Sequence, residues 1–107
     1  MAQPQKMKHI IMEKNILLKG YLDHDGKFDR LPGKRQKKKL AHMLQYLAKQ
    51  FDKSKKYSEK EVNEILNQHH SFNDPATLRR LMFGSKLINR TLDGKSYWLR
   101  PNPTESV

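Results

Sequence analysis

The sequence predicts a winged helix-turn-helix: a mainly α (α+β) fold with an N-terminal helical extension and a small antiparallel wing. Three observations between Ser58 and Arg100 carry this reading. Ser58-Glu59-Lys60-Glu61 is a capping box, in which the hydroxyl and the carboxylate each satisfy a free donor at a helix start. Asp74-Pro75 marks a second start, with Asp74 accepting from the first turn and Pro75 at a position where its missing N–H costs nothing. Two short apolar runs then flank Asp93-Gly94, a hairpin signal.

The elements follow in order. Apolar residues at 7, 10, 11, 17, 18, 21 and 22 share one helical face, so Met7 to Leu22 is predicted helical, with a strand pair as the competing reading. Its apolar girth exceeds what one small core absorbs, and a homodimer through this helix is carried as a hypothesis. Asp23-His24-Asp25-Gly26 is a turn in which Asx side chains bind their own backbone. It is not a calcium loop: with Gly26 at position six, Tyr21 and Pro32 fall where ligands are required. Phe28 and Leu31 lead in extended form to a break at Pro32-Gly33. Gly33-Lys34 is not a phosphate loop, because six residues separate it from Gly26 and Arg35 follows the lysine.

Lys34 to Phe51 is predicted as a helix with Leu40, Met43, Leu44, Leu47 and Phe51 on its apolar stripe. Its cationic start opposes the helix dipole, so either an anionic partner offsets that cost or the charges stand far enough apart to be screened. Lys56-Tyr57 is predicted to add a very short strand against the wing. The capping-box helix runs to about His69 and buries Val62, Ile65 and Leu66. Phe72 packs inward from the turn Ser71-Phe72-Asn73. The Asp74 helix runs to about Lys86, with Leu78, Leu81 and Met82 on one face and Gly84 loosening its last turn. Leu87–Thr91 and Ser96–Leu99 form the hairpin.

With 107 residues the chain is read as one core-bearing unit. We divide it into an N-terminal helix and turn (1–30), the winged-helix domain (31–100) and a disordered tail (101–107). There is no cysteine, which removes disulfides, thiol catalysis and cysteine-based zinc sites. No run of about 18 apolar residues and no signal-peptide pattern occurs, so no membrane association and a cytoplasmic location are expected. Asn89-Arg90-Thr91 matches a glycosylation acceptor, read as chance without a secretion signal.

The net charge is +11, from 22 basic and 11 acidic side chains. Residues 31–57 alone hold 9 basic and 1 acidic side chain. Such a cluster attracts polyanions, chiefly nucleic acid, or an anionic membrane surface; a solubilising charged surface is the alternative, but the clustering exceeds what solubility needs.

Leu31-Pro32-Gly33-Lys34-Arg35, Tyr57-Ser58-Glu59-Lys60-Glu61-Val62-Asn63-Glu64-Ile65-Leu66, Thr77-Leu78-Arg79-Arg80 and Tyr97-Trp98, in this order, resemble a bacterial domain-of-unknown-function family of winged-helix-like domains. Its members occur alone or behind an ArsR-type helix-turn-helix regulator. The resemblance covers about residues 20–100. It implies bacterial origin and a regulatory setting, and no catalytic residues.

The expected function is non-enzymatic binding of double-stranded DNA by a bacterial transcriptional regulator or accessory factor, nucleoid-associated and without cofactor or metal. Asn73, Thr77, Arg79, Arg80 and Lys86 are the candidates for reading bases from the Asp74 helix. Lys95 at the wing tip, together with Lys34, Arg35, Lys37, Lys38, Lys55 and Lys56, would hold phosphates. The competing reading pairs Arg79 or Arg80 with Glu61 or Glu64 or packs it on the sheet. Two alternatives stand beside DNA binding: a winged-helix protein-interaction or dimerisation module, and RNA or single-strand binding through Tyr97 and Trp98. His69 and His70 match no zinc signature, and core or capping roles are preferred for them.

Overall fold

The computed structural model describes residues 18–100, so the predicted helix over residues 7–17 and the tail 101–107 lie outside the described residues. A 3₁₀ turn, Lys19–Tyr21, opens the described chain. Leu22, predicted as helical, is extended instead and bridges Phe28. The Asp23–Gly26 turn between them forms as expected: Asp23 Oδ1 accepts from the amides of Asp25 and Lys27, each at 2.9 Å, and Gly26 supplies φ 80°.

Three helices follow: α1 (Lys37–Ala48), α2 (Glu59–Asn67) and α3 (Pro75–Gly84). A two-stranded antiparallel sheet closes the fold, β1 (Ile88–Arg90) with β2 (Tyr97–Leu99), paired Ile88 with Leu99, Asn89 with Trp98 and Arg90 with Tyr97. This is a small α+β architecture.

Helix α1 begins at Lys37, three residues later than predicted. Residues 33–36 form a turn instead, closed by Gln36 N–H on the Gly33 carbonyl at 2.9 Å. Gln36 offers no side-chain cap, and three lysines without an acid fill the first turn, so nothing extends the helix backward. Its apolar stripe is as predicted: Met43, Leu44, Leu47 and Phe51 are buried.

The capping box of α2 is complete, with Glu61 N–H on Ser58 Oγ at 3.1 Å and Ser58 N–H on Glu61 Oε1 at 2.8 Å. Asp74 caps α3 as expected, accepting from Thr77 N–H at 3.2 Å and Thr77 Oγ1 at 2.7 Å. The end of α3 departs from expectation. The helix stops at Gly84, and Lys86 adopts the left-handed conformation at φ 63°. Lys86 N–H then reaches the Phe83 carbonyl and Leu87 N–H the Met82 carbonyl, each at 3.0 Å. That is the Schellman pattern, with lysine where glycine is usual.

Between α2 and α3 lies His70, 3% exposed. Its Nδ1 is 2.7 Å from the Leu66 carbonyl, and its Nε2 is 2.9 Å from Asp74 N–H. A carbonyl only accepts and an amide only donates, so Nδ1 carries the proton. The ring thus joins the last turn of α2 to the cap of α3. Phe28, fully buried, runs parallel beside it: Phe28 N–H bonds the His69 carbonyl, and Ser71 N–H bonds the Phe28 carbonyl.

The expected short strand at Tyr57 is a single bridge. Tyr57 and Tyr97 exchange both backbone hydrogen bonds, at 2.8 and 2.7 Å. One core joins Leu18 and Phe28 to the helices and to Ile88 and Tyr97. The hairpin loop is longer than Asp93-Gly94 alone suggests. Thr91 N–H bonds the Ser96 carbonyl, leaving 92–95 as the loop with Gly94 at φ 72°.

Candidate nucleic-acid interface

Helix α3 presents its polar side chains in three different situations. Thr77 spends its hydroxyl on Asp74. Arg79 is only 13% exposed in its side chain and is held on three sides. Its Nη1 donates to Asn63 Oδ1, its Nη2 lies 3.6 Å from Glu59 Oε1, and its guanidinium sits 5.9 Å from the Tyr97 ring centre. The pairing foreseen for an arginine here is therefore real, but its acid is Glu59 rather than Glu61 or Glu64. Capping accounts for the difference: Glu61 turns back to the Ser58 amide. Arg80 is exposed and makes no ion pair with a described residue.

Asn73 and Lys86 flank α3 rather than ride on it. Asn73 is exposed in the preceding turn at φ 54°, and Lys86 follows the helix cap. Lys95 is exposed in the hairpin loop, its amide bound to Asp93 Oδ1 at 3.0 Å.

The 31–57 cations divide into two groups. Lys34 and Arg35 stand exposed in the turn before α1, and Lys37 and Lys38 in its first turn. Lys55 and Lys56 follow the other end of α1, a helix about 18 Å long at 1.5 Å per residue. There Lys55 lies over the Tyr57 ring at 5.2 Å and Lys56 over the Trp98 ring at 5.4 Å. None of the nine basic side chains in 31–57 forms an ion pair with a described residue.

One residue was missed by sequence reasoning. Ile88 and Arg90 are two apart on β1, so they share a face, and Arg90 opposes the buried Tyr97. Arg90 therefore leans toward α3, where its guanidinium covers the Phe83 ring at 4.9 Å. With Arg79, Arg80 and Tyr97 it lines an open cleft of about 300 Å³ between α3 and the hairpin. The signal was the period of two, which puts an arginine on the core side of a strand.

The carboxylates of this region serve local structure. Thr77 hydrogen bonds hold Asp74 below its ordinary pKa, the Ser58 amide does so for Glu61, and the Thr91 hydroxyl for Asp93. His70 uses both ring nitrogens on backbone groups, which leaves no lone pair for a metal. Among the described residues, no three His, Asp or Glu side chains gather to hold a metal ion. No helix among them is long and apolar enough to cross a membrane.

No curated protein and no solved structure matches the chain. A family described as "Uncharacterized protein conserved in bacteria (DUF2087)" matches residues 27–99, from the end of the Asp23–Gly26 turn through the last residue of β2. The matched span includes His70, Arg79 and the whole hairpin, and it agrees with the four sequence segments that pointed to a bacterial family of this kind. The chain belongs to this conserved bacterial family.

Proposed function

We propose that the protein is a winged-helix, duplex-DNA-binding regulator or accessory factor of the bacterial cytoplasm. The element order supports the winged-helix reading: helix, short bridge at Tyr57, helix, turn, helix, hairpin. In that scheme α3 enters the groove and the 92–95 loop is the wing. The observation that carries the DNA reading is the set of nine cations in 31–57 without an ionic partner among the described residues. Uncompensated charge of this density favours a polyanion through counterion release.

Base reading is thin in this proposal. Arg79 is spent on Glu59 and Asn63, which leaves Arg80, with Asn73 beside the helix, as the reading side chain. Phosphate grip therefore dominates, and sequence preference is weak. The test is fluorescence anisotropy on random duplex DNA between about 50 and 200 mM salt. A steep log–log slope is expected. Glutamine at Lys37, Lys38 and Lys39 should lower it by about one unit for each of these lysines that grips a phosphate. A flat, weak response would overturn the reading in favour of a protein-interaction module. The Arg79–Glu59 pair favours that alternative, because it holds one of the two adjacent arginines of α3 against the protein and away from a duplex.

A further inference from the structure

The cleft between α3 and the hairpin has a chemistry of its own. Three arginines line it, but they are not equivalent. Arg79 is offset by Glu59. Arg80 on α3 and Arg90 on β1 form no direct ion pair with a described carboxylate, although, after the Thr77 hydrogen bonds, the Arg80 charge is near enough to help hold the Asp74 carboxyl down. Phe83 backs the Arg90 guanidinium and leaves its edge donors free to turn into the space. The second acid lining the cleft, Asp93, already accepts from the Thr91 hydroxyl at 2.6 Å and the Lys95 amide at 3.0 Å.

A further donor comes from the core. Tyr97 is 4% exposed as a residue, and its hydroxyl, which makes no hydrogen bond among the described residues, is its accessible end. A Cβ built on Gly94 would lie 3.9 Å from that hydroxyl and 3.6 Å from Arg90 Nη1, so both polar groups face the same glycine at the cleft wall. Among the described residues no buried side-chain polar atom lacks a hydrogen-bond partner, so the Tyr97 hydroxyl is a donor open to the cleft, beside two guanidinium groups that form no ion pair there.

We propose that this cleft binds a phosphate group, gripped by Arg80 and Arg90 with the Tyr97 hydroxyl as third donor. Tetrahedral oxyanions suit paired guanidinium forks. About 300 Å³ exceeds one phosphate and sits at the lower bound of ligand pockets, so the phosphate carries a small organic group or belongs to a polymer backbone. The cleft rests on its own lining and not on the lysines of 31–57.

Isothermal titration of the full chain with inorganic phosphate tests the site, at constant ionic strength. Saturable binding is expected, weakened about tenfold or more by Arg80→Gln or Arg90→Gln, as for loss of a charge-assisted hydrogen bond. Tyr97→Phe weakens it less, and the Lys37, Lys38, Lys39 triple glutamine variant leaves it unchanged. Absence of saturation, or undiminished binding by R80Q and R90Q, overturns the proposal. Displacement of phosphate by random duplex identifies a backbone phosphate as the ligand; retention of phosphate beside bound duplex identifies a free phosphate ester. Salt-dependent duplex binding with no saturable phosphate binding removes the cleft while leaving the DNA reading intact.

Discussion

Lys86 and His70 show how much single residues decide here. Lys86 closes α3 in the left-handed region, where a Cβ costs about 1 kcal/mol or more that glycine avoids. Lys86→Gly is therefore expected to raise stability by about 1 kcal/mol, read from the urea midpoint at constant slope. An unchanged or lower midpoint would show that the Schellman closure is not strained. His70 makes the opposite case. His70→Ala leaves the Leu66 carbonyl and the Asp74 amide without their ring partners and opens a cavity, costing about 3 kcal/mol in the same assay. The two adjacent arginines differ in the same way. Arg79→Ala lowers stability by about 1–2 kcal/mol, because it frees Asn63 and Glu59. Arg80→Ala leaves the melt unchanged and weakens anion binding. Equal melts for both variants would remove the distinction drawn between them.

The starts of α2 and α3 depend on ionised caps. Hydrogen bonds from Thr77 and from the Ser58 amide hold Asp74 and Glu61 below their ordinary values of 3.8 and 4.5. A depressed carboxylate contributes stability that is present above the unfolded value and lost as pH falls through the folded one. Thermal midpoints should therefore be level above about pH 5 and fall through pH 4 and below. The double variant Glu61→Gln, Asp74→Asn keeps acceptors at both caps and should flatten the fall; an identical acid limb would assign it to other groups. The helices and caps were legible because their signals are local, a side chain answering an amide three residues away. The start of α1 was misplaced by three residues because apolar periodicity marks a face and not an end. Lys34 and Arg35 continue the charge pattern of the helix, while Gly33 turns the chain beneath them. The left-handed residue after α3 was not legible because lysine carries no signal for that conformation, and the nearby glycine, Gly84, sits two residues too early.

At the scale of the molecule, a basic chain is folded so that its uncompensated charge flanks α1 while its partly neutralised arginine faces the sheet. Duplex affinity should accordingly track the lysines of 31–57 more than Arg79, which a salt series on the two sets of variants would show; a larger loss from Arg79→Ala would reverse the assignment.

The sequence by itself determined the helical order, both N-caps, the Asp23 turn, the hairpin, the membership in a bacterial family and the place of the excess charge. Each depends on neighbours within one turn, on short segments in a set order or on a count of side chains. Tertiary structure alone decided the rest. It paired Arg79 with Glu59, twenty residues away, and seated His70 between two helix ends beside Phe28. It also brought Arg80, Arg90 and the Tyr97 hydroxyl to one cleft. These contacts depend on strand register and on the packing of α3 against the sheet, and no spacing along the chain encodes either.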